Sequence, residues 1–394
     1  MTSHPYDAII IGAGLAGTSA AHKLATAGHR VALIDIHAVY PPDFRAEKLG
    51  QVQMDQFDRL GLGWPARNAT TMVNEVWVSR FQRLVSHLPI REYGLHYANL
   101  VNAIRQALPA SVALTLGRVK DIETGPERQS VTLGDGQRLE GRLIVLATGL
   151  GDALRRKLGI GKQVVGPKHS VSFGFDLAAP PSAFPFPSLT LYGDAFRSRI
   201  AYVTLFPIGT TMRGNLFVYR DPSDPWIKSF RASPEAILRA ELPGLLPHCP
   251  DLTIRGPVEM RPVDLVQAQD YRRDGVVLIG DAFLSPCPIP GTGIGKVLTD
   301  VERLCAVHLP RWLETPGMEA EKLGSFYDDP VKVASDTQCL RASHYSRAIA
   351  TEIGPIWAAR RWRNYVGRHA IHALRGVRSR LAGLNPTGHS APST

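Results

Sequence analysis

The stretch that decides the fold is Tyr6-Asp-Ala-Ile-Ile-Ile11-Gly12-Ala-Gly14-Leu15-Ala16-Gly17, followed by Arg30-Val-Ala-Leu-Ile-Asp35. Asp7 to Ile11 is a short apolar run of the kind that makes a buried parallel strand. Gly12 permits the tight turn out of that strand. Gly14 lets backbone approach a pyrophosphate, and Gly17 lets the following helix pack close on the sheet. A helix over 15–27, begun by Leu15 and Ala16, aims free N–H groups and a positive dipole end at the phosphates. Gly28 stops it. Asp35 lies about twenty residues beyond the glycines, where a carboxylate accepts ribose hydroxyls and disfavours a 2′-phosphate. A bare GxGxxG also marks ordinary turns. Strand, helix, strand and terminal acid in the right order make this a dinucleotide site for FAD or NAD.

With 394 residues the chain can hold two or three domains. Its four cysteines, Cys249, Cys287, Cys305 and Cys339, form no CxxC and no His/Cys cluster at metal spacing. They read as reduced thiols in a cytoplasmic protein, and no metal site is expected. The N-terminus enters the nucleotide motif directly, which leaves no room for a cleavable leader. No run of about eighteen apolar residues suggests a membrane span. The net charge of +10 is uneven: residues 331–394 hold 10 Lys and Arg against 2 Asp and Glu. The excess belongs to the tail rather than to the whole surface.

Beyond Asp35 the prolines of Ala38–Phe44 imply an extended loop, and Arg45-Ala-Glu-Lys-Leu-Gly50 then leads into a helix ending in Leu60-Gly-Leu62. A β meander with the hairpin turn Gly134-Asp-Gly136 precedes a second buried strand ending at Gly149. From Val164 strands follow one another without helices, which implies an antiparallel sheet; Gly209–Gly214 reads as a turn within it. The nucleotide-domain texture returns at Val276-Val-Leu-Ile-Gly280-Asp281. The organisation expected is α/β: a Rossmann-type domain in three parts (1–70, 99–163 and 275–324) with a short β excursion at 71–98. An antiparallel-sheet substrate domain is inserted at 164–274, a basic helical region follows at 325–384, and the last residues, 385–394, read as disordered. In the basic region Trp362, Val366, Ala370 and Ala373 recur at helical spacing among seven arginines.

Three motifs together resemble the FAD-dependent monooxygenases related to p-hydroxybenzoate hydroxylase and the ubiquinone-pathway hydroxylases. The first is the N-terminal fingerprint. The second is Gly280-Asp281, then Pro288 and Gly291-Thr292-Gly293-Ile294, which resembles the family's GD motif. The resemblance implies that Asp281 binds the FAD ribitol and that the glycine-rich helix start faces pyrophosphate and flavin. The third is Thr148-Gly149-Leu-Gly-Asp152-Ala-Leu-Arg155, similar to DGxxSxxR, with Thr148 and Asp152 in place of the motif's Asp and Ser. That segment serves both FAD and NAD(P)H in the family, so its divergence bears on the electron donor. Arg45 falls where the family places a flavin-contacting arginine, and Arg155 reads as a phosphate contact or an ordinary surface base. Gly295 stands for an Asn near the flavin edge, which implies extra space there, and Tyr97 for the Arg or Gln that opens the third helix.

The resemblance implies an FAD-dependent monooxygenase: NAD(P)H reduces the flavin, and a C4a-hydroperoxide passes one oxygen atom to a small or medium organic substrate. No catalytic side chain is expected, since the chemistry is flavin-borne. The pocket should lie between the inserted sheet and the flavin, with Phe175, Tyr202, Phe206, Arg213 and Phe217 as lining candidates, and Phe173 and Tyr219 beside them. Alternate strand residues face opposite ways, so about half must point elsewhere. Cys287 reads as a small buried filler rather than a redox thiol. The nearest rival is a reductase of the geranylgeranyl type. A halogenase fits less well because none of the six tryptophans forms a WxW. The basic tail could lie on an anionic membrane or an acidic carrier protein. Nucleic acid is disfavoured, since no stacking platform interleaves its arginines.

Overall fold

A computed structural model describes residues 6–80, 83–193, 195–364 and 366. The strand Tyr6–Ile11 lies between Val31–Asp35 and Arg138–Leu146, parallel to both, in a seven-stranded sheet. Ala113–Leu116 continues it on one side, and Val276–Leu278 runs parallel to the far half of Arg138–Leu146. The near half pairs antiparallel with Gln129–Leu133, which carries Val119–Glu123, so the meander forms the other edge. Ile9, Ile10, Leu33, Ile144, Val145 and Val277 are fully buried in this sheet. Burial on both faces explains why these strands are unbroken apolar runs rather than alternating ones. The helix Leu15–Thr26 packs over them and ends where Gly28 takes φ +89°.

The second layer is an eight-stranded sheet built on two long strands, Gly161–Leu177 and Ile254–Gln269, antiparallel along nearly their whole length. Thr211–Val218, Ile200–Ile208 and Leu189–Tyr192 extend it antiparallel, and Leu284–Ser285 adds to the other edge. Val76–Arg80 and Arg83–Leu88, from the early excursion, also join it, the former parallel to Leu189–Tyr192. One face buries Phe173, Phe175, Leu216 and Val218 against the helices Pro225–Ala232 and Pro234–Glu241, with Phe173 and Phe230 edge to face at 4.8 Å. The opposite face looks toward the nucleotide domain.

The helix expected after Gly50 spans Gln51–Arg59, and the segment leading into it, Ala46–Gly50, is a strand that pairs with Glu92–His96 in a three-stranded sheet. One local expectation is corrected. The turn at Gly209 is tight, and Thr211 to Gly214 already belong to a strand. Toward the C-terminus, helices span Ala320–Tyr327, Pro330–Thr351 and residues 355–364. The basic residues expected beyond 366, and the tail at 385–394, lie outside the described residues.

The helix Pro330–Thr351 is fixed to the nucleotide domain by buried charge. Lys296 and Asp300, one turn apart on the helix Gly293–Arg303, form an ion pair at 2.7 Å. Lys332 reaches Asp300 at 3.1 Å and Asp336 at 2.7 Å. Its ammonium also lies 3.9 Å from the Phe283 ring centre. Burial alone would raise the Asp300 carboxyl, but Lys296 and Lys332 more than reverse that and hold it below the usual carboxylate range. The stability it contributes is therefore present above that range and is lost as pH falls through it.

Removing one member leaves the rest with unbalanced buried charge, which costs about 3–5 kcal/mol. Asp300→Leu should lose that much in urea denaturation, while Lys296→Met with Asp300→Leu should lose less, because Lys332 keeps Asp336. A double variant no more stable than the single one would contradict this account.

Candidate active site

At the end of the first strand Gly12 takes φ +101°, and a Cβ there would run into the Ala147 carbonyl. A Cβ on Gly17 would strike the Gly12 carbonyl oxygen, so only glycine lets helix and turn come this close. Gly14 has open space where its side chain would be, and no side chain caps the helix it begins. Asp35 accepts from the Ala13 N–H at 2.6 Å, and Arg105 lies 3.3 Å from it while donating to the Ala13 carbonyl at 2.7 Å. The turn is thus held from behind by a buried arginine that spacing alone did not reveal.

The second motif meets the first at Gly280, in left-handed backbone at φ +63°, where a Cβ would press on Ala16. Its N–H donates to Asp300 at 2.8 Å, and its carbonyl accepts from Lys296 at 2.8 Å. The turn Pro288–Gly291 closes by a 2.9 Å backbone bond, and Thr292 precedes the helix Gly293–Arg303. The Thr292 hydroxyl is buried with no hydrogen-bond partner among the described residues.

These elements surround one cavity of about 260 Å³. Leu15, Arg45, Tyr97, Asp281, Pro288, Gly291, Gly293 and Ile294 line its nucleotide side, and Ser172, Asn215, Phe217 and Arg261 its sheet side. The Arg45 guanidinium lies 4.3 Å from the Tyr97 ring centre. Burial opposes its charge, but Tyr97, Glu47 and Asp281 outweigh that and hold it above its ordinary value. Glu47 is pushed above the usual carboxylate range by burial and by Asp281, with Arg45 acting against them.

A family model for an FAD binding domain matches residues 5–90. Among solved structures, a p-nitrophenol 4-monooxygenase from Pseudomonas putida DLL-E4 superposes over 96% of this chain and 97% of its own, with 17% identity and a TM-score of 0.73. A probable FAD-dependent monooxygenase from Pseudomonas aeruginosa covers 88% and 96%, with 19% identity and a TM-score of 0.68. The flavin-dependent brominase Bmp2 covers 89% and 91%, with 17% identity and a TM-score of 0.69. Comparison with curated protein sequences found no match. Residues 5–90 thus form an FAD binding domain, and the chain as a whole has the fold of these flavin-dependent enzymes.

The site residues fit FAD. The Gly12–Gly17 cradle leaves backbone N–H groups and open space for a pyrophosphate, Asp281 turns an acid without a hydrogen-bond partner among the described residues into the cavity, and Thr292 offers an unmatched hydroxyl. Gly149 takes φ +59° with open space beside it, and its neighbour Leu150, not Gly149 itself, lines the cavity.

Other expectations change. Arg155 is no surface base: it is buried and donates to the Ala282 carbonyl at 2.9 Å, bracing the GD turn. No extra space lies beside Gly295, because Gln56 fills it and donates to the Gly295 carbonyl at 3.2 Å. Of the five lining candidates only Phe217 borders the cavity. Phe175 points to the opposite face of the sheet, into the core with Leu216. Tyr202 is on the right face, but its hydroxyl donates to the Ile289 carbonyl at 2.8 Å, behind the flavin loop. Phe206 packs under Gly94 of the three-stranded sheet. Arg213 reaches the Phe44 carbonyl at 2.5 Å and Asp176 at 3.2 Å, holding the loop that carries Arg45 rather than the cavity. Phe173 borders the cavity along its strand, but its ring packs in the opposite core against Phe230. Tyr219 belongs to a small buried cluster with Leu265 and Cys287. Tyr97, Ser172 and Arg261 are site residues that sequence reasoning missed. The small polar residues alternating with Phe173 and Phe175 were the signal for the cavity face.

Gly17→Ala should lower FAD affinity by about tenfold or more, about 1.4 kcal/mol, through the clash with the Gly12 carbonyl. Asp281→Asn should weaken it less, by about 1 kcal/mol, the scale of one hydrogen bond. Equilibrium titration of flavin-stripped protein with FAD checks both, and unchanged affinity in Gly17→Ala would refute the cradle.

Proposed function

We propose that this flavoprotein is a cytoplasmic monooxygenase that inserts one oxygen atom from O2 into a small or medium, largely apolar or aromatic organic molecule, with NAD(P)H as electron donor. The observation that carries the reading is the continuity of one cavity from the flavin-side residues Arg45, Asp281 and Gly291 to the sheet-side residues Ser172 and Phe217. Bound FAD, once reduced, would supply dioxygen activation and oxygen transfer. The chain's own residues do the rest. The helix N–H groups following Gly291 and Thr292 stabilise negative charge beside them. Phe217, Ile294 and Val297 present an apolar lining that excludes water.

A protein-thiol mechanism fits poorly. All four cysteines are buried and free, and burial pushes the Cys287 thiol up to about 11. The names of two neighbours, a p-nitrophenol 4-monooxygenase and a probable FAD-dependent monooxygenase, support oxygenation. A reductase remains the second reading because of one observation: the Thr148 hydroxyl, where the related motif has an acid, donates to the Gly151 carbonyl at 3.3 Å within its own loop.

Among the described residues no helix is long and apolar enough to cross a membrane. We further propose that the basic C-terminal segment rests on an anionic membrane surface. Ile353, Ile356 and Trp362 are 80%, 67% and 67% exposed, beside Arg360 and Arg363. Truncation after Glu352 spares the buried-charge helix and should abolish salt-sensitive binding to phosphatidylserine vesicles. Undiminished binding by the truncated protein would overturn this.

Anaerobic titration of FAD-loaded protein with NADPH and then NADH should bleach the oxidised flavin band, faster with substrate present, and aerobic turnover should couple O2 uptake to a product gaining one oxygen atom. Reduction without oxygenated product would favour the reductase. No bleaching by either nucleotide would remove NAD(P)H as donor.

A further inference from the structure

The sheet side of the cavity carries a row of side chains set by strand register. Ser172 stands directly opposite Arg261 on one neighbouring strand and Phe217 on the other. All three line the cavity. The Ser172 hydroxyl is buried and has no hydrogen-bond partner among the described residues. Arg261, half-buried beside it, makes no hydrogen bond or ion pair with any described residue.

The other charges of the cavity are matched or lie at its rim. Arg45 faces Glu47 and Asp281, Lys48 pairs with Glu92 at 2.7 Å, and Asp264 accepts the Lys168 N–H at 2.7 Å. Glu259, two residues from Arg261 on the same strand, is exposed and forms no ion pair with it. Lys162 is exposed and adds a second cation without an acid among the described residues. A half-buried guanidinium beside a buried, unsatisfied hydroxyl is costly unless an acceptor joins them, and a carboxylate accepts from both.

We infer that the substrate carries a carboxylate or comparable planar anion bound by Arg261 and Ser172, with its apolar body against Phe217. Neighbouring strands lie about 4.8 Å apart, so Phe217 and Arg261, two strands apart, are separated by roughly 10 Å of sheet. A single ring with an acidic substituent spans that distance. The inference rests on the reading of this cavity as a substrate site and adds the substrate class.

Isothermal titration calorimetry of the oxidised, FAD-loaded protein with benzoate against benzamide, and phenylacetate against phenylacetamide, tests it. Each acid should bind at least about tenfold more tightly than its amide, Arg261→Gln should remove the preference, and Arg261→Lys should keep part of it. Ser172→Ala should weaken acid binding a few-fold. FAD content, measured alongside, separates these effects from misfolding. Equal affinity of acid and amide, a preference that survives Arg261→Gln, or no binding by any of the four overturns the inference. The binding assay holds no electron donor and so reads this inference alone; when NADPH or NADH is then supplied, acid binding without O2 uptake keeps this inference and removes the oxygenase reading, whereas O2 uptake driven only by neutral molecules does the reverse.

Discussion

Gly280 is pinned on both sides of its peptide by one buried ion pair. Asp300 takes its N–H and Lys296 its carbonyl, and Lys332 and Asp336 tie that pair to a helix more than thirty residues downstream in the chain. The turn that presents Asp281 is therefore fixed by charges on two helices, neither of which borders the turn in sequence. Buried ion pairs are poor sources of net stability, since desolvation consumes much of the attraction. Their value here is positional: an off-register packing of the C-terminal helix would strand a charge in an apolar core.

With that turn fixed, the two sheets define the site between them. The parallel sheet delivers two glycine turns to one edge, where Gly280 meets Ala16. The antiparallel sheet turns an aromatic face toward its covering helices and a smaller, more polar face toward the nucleotide domain. The cavity is the space left because Ser172 and Asn215 are small where Phe173 and Phe175, on the same strand as Ser172, are large. Volume is thus created by side-chain size alternating along one strand.

The glycine motifs were legible because their requirements are local: each glycine answers to a turn or a close approach within a few residues. The alternation of buried and open strands was legible for the same reason. What the sequence withheld depends on distant partners. Arg155 looked like a surface base because nothing nearby announces that Ala282 will accept its hydrogen bond. Gln56 fills the space beside Gly295 from 239 positions away. Among the pocket candidates Phe175 failed on strand parity, because it faces away from the cavity as Phe173 does. Tyr202, Phe206 and Arg213 lie on the right face but are taken up by the Ile289 carbonyl, Gly94 and the Phe44 carbonyl. Lys296, Asp300, Lys332 and Asp336 carry a readable signature, charges one turn apart on otherwise apolar helix faces, but only packing shows that the two pairs meet.

The bond from Arg213 to the Phe44 carbonyl has a mechanical consequence. Arg213 is rooted in the inserted sheet and held by Asp176, while Phe44 is the residue before Arg45. The arginine beside the flavin site and the wall that bears Ser172 and Phe217 are thereby fastened to the same sheet. Any displacement of that wall, as by a bulky guest wedged against Phe217, would drag the Arg45 charge with it. Occupancy of one compartment would then be felt electrically in the other without any dedicated moving part.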